Sequence, residues 1–364
     1  MDETLYEALA AHLDRLPGGF APSRTGAHLR LLAYLFTPEE AALAVHLTLE
    51  PDAPAAIAAR AGLPPGEVAL RLEEMARKGL TLSSEGPEGL RYQALPWIVG
   101  IYEMQQNRLS TGFRRRVYSY WGSIEPRAEP DTLPQMRTIP VGEAIAFQPE
   151  AMAYQQVGAL VEAQTYFAVQ PCICRRMARL NGRGCDAPEE VCLAFGDWAR
   201  YAVRTGRARE ITREEVLDIL ELARAANLVL QPSNSRDVAF ICCCCSCCCG
   251  ILADLRRAPR PAEAVTNDYA AVLAPDLCAN CGSCLERCPM GALTSGKEHV
   301  LLDADRCIGC GLCAAACPTG ALQMALKPEE RRRPVPETLA EAWQIIARER
   351  ARERGLAAQA GADA

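Results

Sequence analysis

Two cysteine-rich segments in the last quarter of the chain share one spacing, and they constrain the fold more than any other feature. The first, beginning at Cys278, reads CANCGSCLERCPMGAL, and the second, beginning at Cys307, reads CIGCGLCAAACPTGAL. Both follow the pattern C-x2-C-x2-C-x3-C-P and are related by a constant offset of 29 residues. The Gly-Ala-Leu after each motif repeats as well, so this part of the chain is an internal duplication.

The spacing within each copy is the one by which thiolates surround a cubane iron-sulfur cluster. Three cysteines at i, i+3 and i+6 encircle one cluster, and the proline after the fourth cysteine ends the loop. Gly282, Gly309 and Gly311 allow backbone N–H groups to come close to an anionic cluster. A pair of zinc knuckles is the alternative, but zinc sites normally lack this doubled pattern.

With these motifs, residues 275–327 resemble the bacterial two-cluster [4Fe-4S] ferredoxins. The resemblance implies two [4Fe-4S] clusters with crossed ligation and a role in moving single electrons. It implies that the first cluster is bound by Cys278, Cys281, Cys284 and Cys317, and the second by Cys307, Cys310, Cys313 and Cys288. The residues between the two copies, ALTSGKEHVLLD, predict a β-hairpin that turns at residues 295–297.

A second set of cysteines precedes the duplication and predicts a further metal site. Its ten candidate ligands are Cys172, Cys174, Cys185, Cys192, Cys242, Cys244, Cys245, Cys247, Cys248 and Cys249. The first four have the spacing C-x-C-x10-C-x6-C, with glycines and a proline that bend the chain between them. One or two additional iron-sulfur clusters, a zinc ion, and buried thiols without a ligand role all remain open.

The run ICCCCSCCCG contains Cys242, Cys245 and Cys248 at i, i+3 and i+6, which repeats the ferredoxin spacing. A strand-like segment precedes the run and a helix-like segment follows it, so the thiols are expected at a strand-to-helix junction. Consecutive side chains diverge on strands and helices, so three or four of the seven are expected to bind one cluster.

Residues 140–257 resemble an uncharacterised module that precedes two-cluster ferredoxin domains in iron-sulfur proteins of anaerobe type. That resemblance implies an architecture and no reaction. The Cys-Cys-Gly at residues 248–250 also resembles the modules of heterodisulfide-reductase-type subunits, although the long spacings of that family are absent here.

The N-terminal third has a helical pattern followed by a β-rich segment, and residues 32–99 resemble a winged helix-turn-helix. The candidate recognition helix, residues 65–78, carries Arg71, Arg77 and Lys78 but also three glutamates. The first 100 residues contain 8 Lys and Arg against 13 Asp and Glu. Because a groove-reading domain concentrates positive charge, a packing or docking role is favoured over DNA binding.

The predicted fold class is α+β multidomain, with a winged-helix-like N-terminal domain, a Cys-rich α/β centre and a C-terminal dicluster ferredoxin fold. The predicted domains are 1–100, a helix and linker at 101–139, the Cys-rich domain 140–264, the ferredoxin domain 265–327 and a charged helical tail 328–364. No signal peptide or membrane span is readable, so the cytoplasm is the expected compartment. There, clustered thiols bind metals more often than they form disulfides. The cysteine count of 19 is odd, and no cysteine precedes Cys172.

These features predict an iron-sulfur electron-transfer protein that relays single electrons through two [4Fe-4S] clusters and works with a redox partner protein. One alternative is an oxidoreductase whose Cys-rich centre is catalytic, and another is a redox-responsive transcriptional regulator. Whether the chain is an enzyme is left open. The four histidines are scattered and suggest no catalytic set, and the net charge of -6 argues against general polyanion binding.

Overall fold

A computed structural model describes residues 3–125, 133–145 and 155–362. The chain divides into two compact units, one of residues 1–135, 200–208 and 340–364 and the other of residues 136–199 and 209–339. Both contain helices and strands, so the predicted mixture of α and β structure is confirmed. Part of the predicted linker, residues 126–132, and residues 146–154 of the predicted central domain lie outside the described residues.

The first unit is mainly helical and contains one hairpin. Its strands, β1 (Thr81–Gly86) and β2 (Gly89–Ala94), are antiparallel. An irregular turn (Trp97–Ile101), in which Val99 has a φ of 57°, and a 3-10 helix (Glu103–Arg108) follow the hairpin. The α-helices of this part are α1 (Glu3–Arg15), α2 (Ala27–Leu35), α3 (Pro38–Ala44), α4 (Pro54–Ala61), α5 (Pro65–Lys78), α6 (Thr111–Trp121) and the C-terminal α15 (Leu339–Ala362).

Local sequence signals account for the ends of these helices. Thr37 and Glu40 form a reciprocal capping box at the start of α3, with hydrogen bonds of 2.9 and 3.2 Å. Helices α4 and α5 end at Gly62 and Gly79, which have φ angles of 65° and 73°. Three helices followed by a hairpin is the order expected of a winged helix-turn-helix, and membership in that class stays a prediction.

The second unit is built on a five-stranded antiparallel sheet with the strand order β5-β3-β4-β7-β6. Its strands are β3 (Phe167–Pro171), β4 (Glu190–Phe195), β5 (Arg209–Ile211), β6 (Val229–Pro232) and β7 (Phe240–Cys244). Apolar side chains that include Val169, Leu193 and Ile241 bury one core against this sheet. Strands β4 and β7 are neighbours, and their pairing aligns Cys192 with Cys242.

Helices connect the strands of this sheet. They are α7 (Val157–Glu162), α8 (Ile173–Leu180), α9 (Gly196–Arg204), α10 (Arg213–Ala225), α11 (Gly250–Arg257) and α12 (Pro261–Ala264). One of them, α9, passes from the second unit into the first at residue 200. Cys172 and Cys249 are the N-cap residues of α8 and α11. Thr212 caps α10 by accepting a hydrogen bond from the backbone N–H of Glu215, whose carboxylate forms an ion pair with Arg209 at 2.7 Å.

The duplicated segment forms its own small core within the second unit. Strand β8 (Tyr269–Leu273) pairs antiparallel with β11 (Leu322–Leu326), and each copy contributes one short helix, α13 (Ser283–Arg287) or α14 (Leu312–Ala315). The predicted hairpin between the copies is present, but it has only the two-residue strands β9 (Leu293–Thr294) and β10 (Leu301–Leu302). Its connection is therefore longer than the predicted three-residue turn.

Throughout the part of the chain that the structure describes, no helix is both long and apolar enough to cross a membrane.

Candidate metal centres

The first candidate centre is a small cavity in the duplicated segment. Cys278, Cys281, Cys284 and Cys317 all line it. Three come from the first copy and the fourth from the second, which is the combination implied by the ferredoxin resemblance. The local fold explains the convergence, because Cys284 lies in the first turn of α13 and Cys317 follows α14.

The second candidate centre is a small cavity whose lining includes Cys288, Cys307, Cys310 and Cys313. Here the first copy supplies one cysteine and the second supplies three. The backbone N–H of Ala271 donates to the Cys307 sulfur at 3.4 Å, and that of Ala292 donates to the Cys288 sulfur at 3.2 Å. Such donors stabilise thiolates and tune the potential of a cluster bound to them.

Left-handed backbone conformations shape the loops around both cavities. Gly282 and Gly311 precede α13 and α14 with φ angles of 78° and 75°, and Gly309 has a φ of 71°. A Cβ at Gly309 would collide with the backbone carbonyl of Tyr269, so only glycine fits there. In the first copy the equivalent residue is Asn280, with a φ of 49°, a conformation that asparagine tolerates better than most residues.

The two cavities differ in their access to solvent. Cys281 of the first is exposed, whereas its equivalent in the second, Cys310, is only 8% exposed; Cys284 and Cys313, the next equivalent pair, are both buried. The hydrogen bond with Ser283 lowers the pKa of Cys281, while burial raises the pKa of Cys313 to about 12. The first site is therefore more open to solvent than the second at one ligand position, that of Cys281 and its equivalent Cys310.

The second cavity is also the one that packs against the five-stranded sheet. Ile308 and Cys310 belong to the same apolar core as Leu230 and Cys243. The segment around Val141 joins the two, because the N–H of Val141 donates to the Cys310 carbonyl at 3.0 Å and the N–H of Ile139 donates to the Leu230 carbonyl at 3.2 Å. The buried ferredoxin cavity and the central cysteines thus share one packed interior.

The central cysteines separate into two groups, the smaller of which we call the four-thiol group: Cys185, Cys245, Cys247 and Cys248. Their sulfur atoms all lie within 4.8 Å of one another. Cys185 is 3.8 Å from Cys245 and 3.7 Å from Cys248, and Cys247 is 3.7 Å from Cys248. The α8–β4 loop supplies the first of these cysteines, and the turn between β7 and α11 supplies the other three.

The larger set, the six-thiol group, consists of Cys172, Cys174, Cys249, Cys244, Cys242 and Cys192. In that order, each thiol interacts with the next and shifts its pKa. Two strands and two helix starts bring them together: Cys192 and Cys242 are partners across β4 and β7, while Cys172 and Cys249 cap α8 and α11. They form a row of thiols, not a compact tetrahedron.

Hydrogen bonds between neighbouring thiols divide the six-thiol group by proton affinity. The bond from Cys192 lowers the pKa of Cys242, and the bond from Cys174 lowers the pKa of Cys249. The same bonds and burial raise the pKa of Cys174, Cys192 and Cys244. Metal ions that bind these sulfurs must displace the shared protons, so their binding will depend on pH.

Arg175 lies beside both groups and was missed by the sequence analysis. Its side chain is 0% exposed and donates to the carbonyl oxygens of Pro188 at 2.8 Å and Cys243 at 2.6 Å. Although burial opposes its charge, the thiols of Cys172 and Cys245 raise the pKa of Arg175. Its only sequence signal is that it directly follows Cys174. Arg176 comes next, and the sequence does not show which of two adjacent arginines is buried.

The structure does not bring Cys242, Cys245 and Cys248 to one site, although their spacing suggested it. Cys242 lies on strand β7 in the six-thiol group, whereas the other two belong to the four-thiol group. Adjacent Cys247 and Cys248 share a site, contrary to the expectation for neighbours, because they lie in a turn and not on a strand or helix. Cys243, the one cysteine of the run not predicted as a ligand, is buried in the apolar core.

The candidate recognition helix α5 carries its basic residues in ion pairs. Arg71 pairs with Glu67 at 2.9 Å, Arg77 with Glu73 at 3.3 Å, and Lys78 with two acidic partners. Each positive charge is thus paired with a neighbouring carboxylate. A helix whose basic residues are paired in this way is poorly suited to bind the phosphates of DNA.

Comparison with known families identifies one part of the chain. Residues 277–321 match the family model of the 4Fe-4S dicluster domain. No curated protein and no solved structure gives a significant match to the chain. The matched segment contains all eight cysteines that line the two cavities. The C-terminal part of the second unit is therefore an iron-sulfur domain of ferredoxin type.

Proposed function

We propose that this protein is an iron-sulfur electron-transfer protein in which two [4Fe-4S] clusters relay single electrons between a redox partner protein and the central thiols. One observation carries the proposal: each of the two cavities is lined by four cysteines, three from one copy of the motif and one from the other.

The residues present suit such clusters. Both cavities offer thiolate ligands, and backbone N–H groups donate to ligand sulfurs of the second. In the proposal Cys278, Cys281, Cys284 and Cys317 hold one cluster, and Cys307, Cys310, Cys313 and Cys288 hold the other. A bound [4Fe-4S] cluster supplies one-electron redox chemistry.

The surroundings of the two cavities differ, and each cavity is assigned its own partner in electron exchange on that basis. Cys281 keeps the first cavity accessible, so a partner protein can approach its cluster site from solvent. Cys310 and Ile308 bury the second cavity in the core that also contains Cys243 and Cys244. We therefore assign the first cavity to exchange with the partner and the second to exchange with the central module.

The test is to load the full-length protein with iron and sulfide without oxygen, and to count both per chain beside EPR of the reduced form. We expect Cys281→Ser and Cys310→Ser each to change the signal of one cluster only, with the double variant affecting both. Cys243→Ala is the matched control, because that buried cysteine lines neither cavity. A double variant that keeps the full complement of reducible clusters would refute the ligand assignment.

The order of the relay needs a separate measurement. Dithionite, a small reductant, should reduce the remaining centres of Cys281→Ser at a rate close to that of the unmodified protein. A reduced two-cluster ferredoxin, used as a protein-sized donor, should reduce them several-fold more slowly. Equal slowing with both donors would contradict the assignment of the first cavity to the partner.

An oxidoreductase with a catalytic centre at the six-thiol group is the second candidate. It is favoured by one observation, since six connected thiols are more than the four that one cubane needs. Turnover of a disulfide or small molecule with reduced viologen, abolished by Cys244→Ser but not by Cys243→Ala, would support it. Absence of turnover across such substrates would leave the electron carrier as the better description.

A further inference from the structure

We infer that the four-thiol group of Cys185, Cys245, Cys247 and Cys248 binds a single Zn²⁺ ion in a closed tetrahedral site. The site is separate from both ferredoxin cavities and from the six-thiol group. This inference stands apart from the proposed relay, because neither cavity shares a ligand with it.

The separations between the sulfurs favour one metal ion. Zinc–sulfur bonds of about 2.3 Å in a tetrahedron place the four sulfurs about 3.8 Å apart. The measured separations of 3.7 and 3.8 Å agree with this value, and no pair exceeds 4.8 Å. A cubane puts its four thiolates on four different iron atoms and so needs a wider arrangement. The four-thiol group is too compact for a cubane.

The six-thiol group provides an internal contrast. Its members make successive pairwise contacts along a row, and its cysteines contribute to no other group as compact as the four-thiol group among the described residues. The same cysteine-rich run therefore feeds two sites of different shape. Of these two sites, the four-thiol group is the one with the shape of a tetrahedral site for a single metal ion.

The surrounding charge also indicates an anionic site. Four thiolates around Zn²⁺ leave a net charge of about -2, which a nearby cation offsets in this partly buried site. Arg175 supplies a fully buried cation that contacts Cys245, and its Nε has no hydrogen-bond partner among the described residues. Its hydrogen bonds to Pro188 and Cys243 reach carbonyl oxygens, which carry no full negative charge.

All four ligands are thiols, so the site keeps no open position for substrate and has the composition of a structural zinc site. Zinc at this point would join the loop that carries Cys185 to the turn that leads into Cys249 and α11. It would thereby fix the helix start that presents Cys249 to the six-thiol group. Cys247 is exposed, which gives the ion a route in from solvent.

The experiment is elemental analysis of the full-length protein purified without oxygen, together with X-ray absorption at the zinc edge. We expect about one zinc per chain, with four sulfurs at about 2.3 Å and no neighbouring metal atom. Cys185→Ser should lose the zinc and keep its ferredoxin iron and sulfide, and Cys243→Ala should keep all three. Because Cys185→Ser could fail to fold, Cys247→Ser at an exposed position serves as the second variant.

Three outcomes would overturn the inference. The first is protein without zinc that also fails to bind added Zn²⁺. The second is zinc retained by both ligand variants. The third is iron and sulfide lost together from those variants, which would assign the four thiols to an iron-sulfur cluster. Loss of ferredoxin iron from Cys281→Ser and Cys310→Ser reports separately on the relay, so the two proposals can fail independently.

Discussion

Replacing Arg175 by methionine tests whether its buried charge belongs to metal-bound thiolates. Methionine keeps much of the apolar stem but removes the guanidinium. Arg175 donates to two carbonyl oxygens, and a hydrogen bond from a charged donor contributes about 1.5–3 kcal/mol. The metal-loaded protein should therefore lose about 3–6 kcal/mol in its free energy of unfolding.

The metal-free protein should respond differently. Without a metal, the thiols of Cys172 and Cys245 compensate the guanidinium less than metal-bound thiolates do, and an uncompensated buried charge costs several kcal/mol. Its removal relieves that cost and offsets part of the lost hydrogen bonding. Arg175→Met should consequently destabilise the loaded protein by about 2 kcal/mol more than the metal-free protein, a fraction of the cost of an unpaired buried charge.

Urea unfolding at pH 7, followed by circular dichroism without oxygen, measures this difference for each protein with and without its metals. Arg207→Met is the matched control in the other unit, because Arg207 is buried and donates to the Met104 carbonyl at 2.6 Å. Its loss should be the same in both metal states. If the loss at Arg175 is also independent of metal, the guanidinium is not the counter-ion of the thiolates and that argument is wrong.

Three other perturbations test separate parts of the structure. Gly309→Ala should destabilise the second unit well beyond Gly320→Ala, because both glycines have positive φ but only the first lacks room for a Cβ; urea unfolding of the two variants compares them. Burial lowers the pKa of His12 from 6.5 to about 4. On acidification the unfolded chain therefore protonates His12 before the folded chain does. The contribution of the neutral His12 to the free energy of unfolding is complete above pH 6.5, and up to about 3 kcal/mol of it is lost as the pH falls towards 4. Unfolding measured against pH should show a shallower decline for His12→Gln, and an unchanged slope would contradict the assignment. Tyr201→Phe removes a buried hydroxyl that bonds to two backbone carbonyls at 3.0 and 3.1 Å, and we expect a loss of about 1–2 kcal/mol in the first unit, measured by thermal unfolding.

The ferredoxin-type segment could be predicted from the sequence because its information is local. The spacing of cysteines within one short loop dictates which thiols face a common cavity, and the second copy repeats it. The hairpin between the copies was predicted less well. Only Leu293–Thr294 and Leu301–Leu302 form strands, and the alternation of side chains does not determine how long the connection is.

The division of the central thiols could not be predicted because it depends on distant pairing. Cys192 reaches Cys242 only through the alignment of β4 with β7, and Cys185 reaches Cys245 across 60 residues of chain. A prediction from the i, i+3, i+6 spacing requires that a single loop surround a single metal centre. Here β7 continues as far as Cys244, so consecutive side chains in the first part of the run point to opposite faces of the strand.

That alternation gives the run of seven cysteines a physical explanation. Cys242 and Cys244 point to one face of β7 and join the six-thiol group, while Cys243 points to the other face and belongs to neither thiol group. Beyond the strand, the turn directs Cys247 and Cys248 to the four-thiol group. Neighbours in sequence therefore meet different chemical environments, since a strand, a turn and a helix start follow one another within ten residues. The element on which each cysteine lies, and not its closeness in sequence, decides which centre it can bind. Substitution of Cys242 or Cys244 should therefore affect the six-thiol group, and substitution of Cys247 or Cys248 the four-thiol group.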